Sequence, residues 1–388
     1  MEPKDIGSNS SICKDGELQD EFYHYNLWWT NGILLVCVAT FGILLNATSL
    51  YIIQSKKVKE TIFNTLAIFL AIIDILLLSN IIYTSIAVNL STPYLSSCFS
   101  PIYLHFYTVI IYPSHRMLML CSFYTNVLMA YERYNCIANP LKILIRNTVN
   151  KSKNRYAQVM WQTLTVIAIS IIFNIPTVYD LEISKIDLNS LEKMNEAHIA
   201  SNCASELWKV SRTEFGLNRN YRIWYLNVSN LAVFTIFPVF LMGFFNLRVY
   251  SLNKNRLRDT NIQNNKHKHE QPHCHQNVML SLLVVLFVIC NIPDFLLNAE
   301  DIIFYQPYEK QRHTHCDWTD FWVLIVTFVQ ALVLTIKCSL NFVMYHIHDV
   351  EFMKVFRSKA VSLCQWRNLR NVDNCNIETF EMQAINQL

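Results

Sequence analysis

Charge is what this 388-residue chain lacks: Asp, Glu, Lys and Arg together make up 16% of it, where soluble domains carry about 25%. So little polar side chain argues against the two or three water-facing domains that the length alone would suggest. Glycine is scarce at six residues and proline at ten, which excludes a collagen-like chain. Aromatics at 13% exclude a wholly disordered one. The net charge of +3 leaves no electrostatic footprint for nucleic acid. Residues 1–26 hold no apolar signal-peptide core, so the first apolar stretch is expected to act as its own uncleaved signal.

What is abundant is apolar sequence, 52% of the chain. It is gathered into seven stretches near or above the ~20 residues that a helix needs to cross a bilayer. These are Leu27–Ile53, Ile62–Val88, Tyr103–Tyr134, Tyr156–Val178, Ile223–Tyr250, Val278–Ile303 and Phe321–Tyr345. The expected fold is therefore an all-α membrane protein, a seven-transmembrane helix bundle with a short amphipathic C-terminal helix. Its parts are an extracellular segment (1–26), the bundle (27–348), and an amphipathic helix with a cytoplasmic tail (349–388). Lysines and arginines fall in alternate connections, at Lys56, Lys57 and Lys59, then Lys142 to Arg155, then Lys254 to Lys268, while residues 89–102 hold none. Basic loops stay on the cytoplasmic side, so the N-terminus is placed outside and the C-terminus inside.

That orientation puts Cys13, Cys98, Cys203 and Cys316 on the oxidising side, where three pairings are open. The expected pairing is Cys98–Cys203 with Cys13–Cys316. Asn9 and Asn89 form glycosylation sequons on the same face. On the inner side, Cys364 follows a segment with Phe352, Phe356, Lys354, Arg357 and Lys359 that suits a helix lying on the membrane, and Cys364 is a candidate for palmitoylation. His267 to His275 carries zinc-type side chains but no defined ligand spacing, so it reads as a loop, and no metal or cofactor is expected.

An ionisable side chain in a span costs at least ~2.5 kcal/mol near the bilayer centre and needs a partner or a purpose. Asp74 lies midway along the second stretch, and Lys337 lies in the seventh with Asn341 one turn further on the same face. Their depths, ~18 and ~12 Å from the inner ends, predict a pair spanned by the long lysine stem. The first and fourth stretches contain no Asp, Glu, Lys, Arg or His, and the second and seventh have one each, too sparse a pattern for a proton or ion relay. No inverted repeat is apparent, which also speaks against a transporter.

Seven landmarks then fall in seven consecutive stretches: Asn46; Leu70-Ala71-x-x-Asp74; Glu132-Arg133-Tyr134; Trp161; Pro238; Cys290-x-x-Pro293; and Asn341-Phe342-Val343-Met344-Tyr345. With these the chain resembles the rhodopsin-like G-protein-coupled receptors over nearly all of residues 27–357. Tyr112-Pro113, Phe173-Asn174-Ile175-Pro176, Tyr221-Arg222-Ile223, Asn246-Leu247-Arg248 and Cys290-Asn291 look like the invertebrate FMRFamide and related neuropeptide receptors. The resemblance implies a plasma-membrane receptor, not an enzyme, with an extracellular peptide ligand and a heterotrimeric G protein as partners and membrane lipid around it. It assigns coupling and activation to Glu132, Arg133, Tyr134, Asn246, Asn341 and Tyr345. A buried polar switch is implied at Asn46, Asp74, Ser122, Lys337 and Asn341. Pro238 and Pro293 each remove a helical hydrogen bond and are expected to make local kinks.

The departures from the pattern are informative. Thr108 stands twenty-five residues before Arg133, where the family commonly has the cysteine of its outer disulfide. His273 stands where some members carry an acid that pairs with the arginine, so that inner lock is expected to be missing. Phe342 replaces the proline of the last motif, which predicts a straighter seventh helix. An ammonium at Lys337 occupies a position that looks like part of the family's sodium pocket, so insensitivity to sodium is expected. Opsins carry their lysine six residues before the motif asparagine, not four, and the ~200° difference on a helix turns Lys337 elsewhere. His115 stands where amine receptors have an aspartate, followed by Arg116. The candidate ligand-binding residues are His115, Arg116, Asp294, Glu300 and Asp301, the acids being suited to the arginine of an Arg-Phe-amide peptide. The alternatives are a chemosensory or orphan receptor for a small ligand, and a polytopic transporter or channel.

Overall fold

The computed structural model describes residues 28–54, 62–86, 101–139, 152–186, 207–263, 285–299 and 321–348. They form seven rods. α1 winds as a π-helix over Trp28–Leu34 and continues as an α-helix over Leu35–Ile53. α2 is Ile62–Thr84, and α3 runs from Pro101 to Ala138 with a π segment at Tyr107–Ile111. α4 is Ser152–Asn174, closed by a 3-10 turn at Ile175–Tyr179 that contains Pro176. α5 is wound as π-helix over Tyr221–Ser229 and Leu231–Ile236, then as α-helix over Phe237–Gln263. α6 is described over Val285–Ala299, and α7 runs unbroken over Phe321–His348, as expected without a proline at 342.

By length and apolarity alone α1, α2, α4 and α5 qualify as membrane spans, and Val285–Ala299 and Ile325–Leu340 are shorter apolar helices. α3 is more polar because it carries His105, His115, Arg116, Glu132 and Arg133, the last four of which belong to the sites below. Two of the wider-wound segments have a local cause. Pro113 and Pro238 lack the N–H that would bond Val109 and Phe234, and the helix before each opens into π winding. Pro293 behaves differently, lying inside the continuous helix of α6.

α1 packs on α2 and α7, and α3 packs on α2, α4 and α5. The shared core holds Leu77, Leu78, Leu120, Phe123, Phe234, Phe287 and Cys338. Lipid is as apolar as these side chains, so close fit rather than hydrophobic exclusion holds the rods together. Gly42 supplies one such approach: a Cβ there would overlap Ser339 of α7 and come within 2.9 Å of Leu78 of α2. Outward faces are apolar, with Phe41, Ile172, Phe240 and Leu247 exposed, and Trp161 also turns outward. Polar side chains on those faces bond their own helix, as in Thr40 to the Val36 carbonyl at 2.7 Å and Thr165 to the Trp161 carbonyl at 2.8 Å. Without water in the hydrocarbon layer, a hydroxyl has to find its partner inside the protein.

One element has no counterpart in the helical pattern. Between α4 and α5, β1 (Leu181–Ile186) pairs antiparallel with β2 (Leu207–Arg212), Leu181 opposite Arg212 and Ile186 opposite Leu207. A helical turn at Glu214–Leu217 follows, capped by Thr213, whose Oγ1 accepts from the Gly216 amide at 3.0 Å.

Candidate functional site

Three polar clusters lie along the bundle at three depths. In the middle, Ser122 of α3 donates to Asp74 Oδ1 of α2 at 2.8 Å, and Lys337 Nζ of α7 donates to Ser122 Oγ at 3.0 Å. The link between Asp74 and Lys337 thus runs through Ser122, a correction to the direct pair that their depths predict. Asp74 and Ser122 are fully buried and Lys337 nearly so. The ammonium also lies 4.3 Å from the Phe123 ring centre and 5.8 Å from that of Phe287, where the ring faces add attraction. Asn46 ties α1 into the cluster, its Nδ2 donating to the carbonyls of Gly42 and Cys338, each at 2.9 Å. Asn341 and Tyr345 lie on α7, outside the residues whose side chains are described.

At the hairpin end of the bundle, Asp294 of α6 is half-buried and held by two neutral donors. Gln330 Nε2 of α7 reaches Oδ1 at 2.7 Å and Thr235 Oγ1 of α5 reaches Oδ2 at 3.3 Å. Arg116 of α3 lies with its guanidinium carbon 5.6 Å from the Phe234 ring centre. Its Nε is buried without a hydrogen-bond partner. His115, also half-buried, sits beside it on α3. Tyr221 and Tyr225 of α5 stack at 5.1 Å, and Tyr225 donates to the Phe173 carbonyl at the end of α4. Tyr83 of α2 and Phe106 of α3 meet edge to face at 5.7 Å.

Above this level, Asp180 holds the hairpin down. It is fully buried, accepting from Tyr112 Oη of α3 at 2.9 Å and forming an ion pair with Arg212 of β2 at 3.2 Å. Its carbonyl accepts from the Thr213 amide at 3.0 Å. Gly216 is needed beside it, since a Cβ would sit 2.5 Å from that carbonyl oxygen. A buried carboxylate demands such partners, and once it has them it fastens loop to helix. Sequence reasoning missed Asp180; the one available signal was an acid directly after the Pro176 turn.

At the end opposite the hairpin the three residues of the motif part company. Glu132 is buried and turns to α4, accepting from Gln162 Nε2 at 3.0 Å and from Gln158 Nε2 at 3.5 Å. Arg133 stacks over Phe63 of α2 at 4.5 Å, and Tyr134 meets Phe245 of α5 at 5.8 Å. Asn246 of α5 has both side-chain polar atoms buried and unbonded among the described residues. The glutamines were also missed, although their spacing of four put them on one face of α4.

Glu300, Asp301, Cys13, Cys98, Cys203, Cys316, Asn9, Asn89, Cys364, the segment His267 to His275 and the amphipathic helix after residue 348 lie outside the described residues. Among the described residues Cys37, Cys121, Cys290 and Cys338 are free thiols, and no cluster is suited to a metal ion.

Residues 33–357 match the family model of the serpentine type 7TM GPCR chemoreceptor Srw. The chain is similar to the FMRFamide receptor of Drosophila melanogaster, 22% identical over 331 residues that cover 85% of this chain and 53% of that one. It is also similar to an FMRFamide peptide receptor of Caenorhabditis elegans, 23% identical over 277 residues covering 70% and 56%. The chain spans about half the length of these curated relatives. It belongs to the serpentine seven-transmembrane G-protein-coupled receptor family.

Proposed function

We propose that this member of the serpentine receptor family binds an extracellular neuropeptide, of the Arg-Phe-amide type, and passes the signal to a heterotrimeric G protein. The observation that carries the ligand reading is Asp294, a carboxylate whose two oxygens meet only neutral donors, on α5 and α7. A ligand guanidinium would add charge-assisted hydrogen bonds that these neutral donors do not provide. The names of the two relatives support the same chemistry. His115 and Arg116 line the site from α3, and Glu300 and Asp301 are its further candidate acids.

Agonist binding favours a conformer whose inner face is open, and the G protein reads that conformer. Glu132, Arg133, Tyr134 and Asn246, with Asn341 and Tyr345, are the residues of that face. The unbonded Asn246 supports this, since a buried amide without a partner is a group awaiting one. Asn46, Asp74, Ser122, Lys337 and Asn341 form the switch between the two ends. The chain resides in the plasma membrane with residues 1–26 outside, 27–348 spanning and 349–388 inside, a reading supported by the basic inner loops. Cys98–Cys203 and Cys13–Cys316 are its outer disulfides, Asn9 and Asn89 its glycosylation sites, and Cys364 a lipid-anchored thiol.

The test is guanine-nucleotide exchange on a G protein in vesicles holding the purified chain. Amidated peptides ending in Arg-Phe-amide are expected to accelerate it, and Asp294→Asn to weaken their potency about 10- to 100-fold. Substrate flux across the same vesicles, without exchange, would contradict the proposal.

A further inference from the structure

Arg116 is an oddity in a membrane-embedded bundle, a permanent cation that makes no hydrogen bond or ion pair with the described residues. The hydroxyls and carboxylates near it bond other groups. Tyr112, Tyr221 and Tyr225 are near enough to feel its charge. Yet the Tyr112 hydroxyl donates to Asp180, that of Tyr225 to the Phe173 carbonyl, and that of Tyr221 to the Pro176 carbonyl at 3.5 Å. Asp180 is taken by Tyr112 and Arg212. Asp294 is also within electrostatic range of Arg116, but its oxygens are taken by Thr235 and Gln330. The two opposite charges therefore flank consecutive residues of α5, Arg116 over Phe234 and Asp294 on Thr235, without touching.

A guanidinium without hydrogen-bond acceptors in low dielectric is costly, and such groups persist where a ligand completes them. A planar fork of N–H donors matches an oxyanion, and the flanking Phe234 face holds the fork in place. We infer that the outer site takes a dipolar ligand, one with a carboxylate or similar oxyanion close beside its cation, the oxyanion going to Arg116 and the cation to Asp294. For a peptide this means an acidic residue next to the arginine. The inference deepens the neuropeptide reading and rests on it for the identity of the cation.

Two arms test it on the purified full chain. Without ligand, Arg116→Gln removes an unpaired charge and is expected to raise the melting temperature by about 2–4 °C. A melting temperature at or below that of the wild type would overturn the inference, because it would make Arg116 a structural tie. In the second arm, two amidated peptides ending in Arg-Phe-amide differ only in Asp or Asn immediately before the arginine. The Asp peptide is expected to bind the wild type about tenfold or more tightly than the Asn peptide, and Arg116→Gln to erase the difference. Arg116→Lys keeps the charge but loses the fork, and is expected to retain part of it. Equal binding of both peptides to the wild type would overturn the oxyanion assignment. If neither peptide shifts the melt of the wild type, the neuropeptide reading fails and the first arm alone decides the inference.

Discussion

Two couples of opposite charge sit in this bundle, one in the middle and one near the hairpin end, and they are built differently. Asp74 and Lys337 are joined by Ser122 into a chain of bonds of 2.8 and 3.0 Å, and the ammonium is further wrapped by Phe123 and Phe287. Asp294 and Arg116 share no bridging side chain; the acid is met by neutral donors and the cation by a ring face. Both couples bring together distant parts of the chain, yet only the first is closed on itself. A closed couple fixes helices in place, and α2, α3 and α7 meet at it. An open couple has attraction left to give, which is what a binding site requires. Chemical identity alone does not separate the two roles, since each is one carboxylate and one cation; the bridging Ser122 does.

The largest effect is expected from opening the closed couple. Lys337→Leu strands Asp74 in the core and should cost about 3–5 kcal/mol of stability, seen as a lowered melting temperature and poor expression. Adding Asp74→Leu removes the stranded charge and should recover much of the loss, so a double variant no better than Lys337→Leu would break the comparison. Ser122→Ala removes only the bridge and should cost about 1–3 kcal/mol in the same melt. At the inner end, Gln162→Leu takes from Glu132 its shorter bond to α4, worth about 1 kcal/mol, and frees the carboxylate to turn toward Arg133. Basal nucleotide exchange should fall as a result; a rise would show that the glutamine restrains the motif instead. The smallest expectation is no effect: with an ammonium already beside Ser122 and Asp74, exchanging potassium for sodium should leave agonist affinity unchanged. A sodium effect that vanishes in Asp74→Ala would contradict it.

The apolar runs made the rods legible in the sequence, and the basic loops gave an orientation. Asp74 and Lys337 could be brought to neighbouring depths by counting residues, because helical rise is fixed. The serine between them could not be derived that way, since it depends on how three helices are rotated about their axes. The hairpin was hidden for a related reason. Leu181–Ile186 and Leu207–Arg212 are short, twenty residues apart, and gain their order from Asp180, a tertiary anchor with no periodic signature. Arg116 and Asp294 were legible as candidates from their places in two spans, while their separation was not, because Thr235 and Gln330 come from two other helices. Glu132 reads in sequence as an ion-pair partner of its neighbour Arg133. Its capture by Gln158 and Gln162 belongs to the packing of α3 on α4, which local sequence does not encode.

The contrast between the couples is tested most directly by melting Lys337→Leu and Arg116→Gln beside the wild type in one ligand-free preparation. The account predicts shifts of opposite sign, downward for the closed couple and upward for the open one. Two downward shifts would contradict it, because Arg116 and Asp294 would then be a second structural pin and the outer site would have no charge reserved for a ligand.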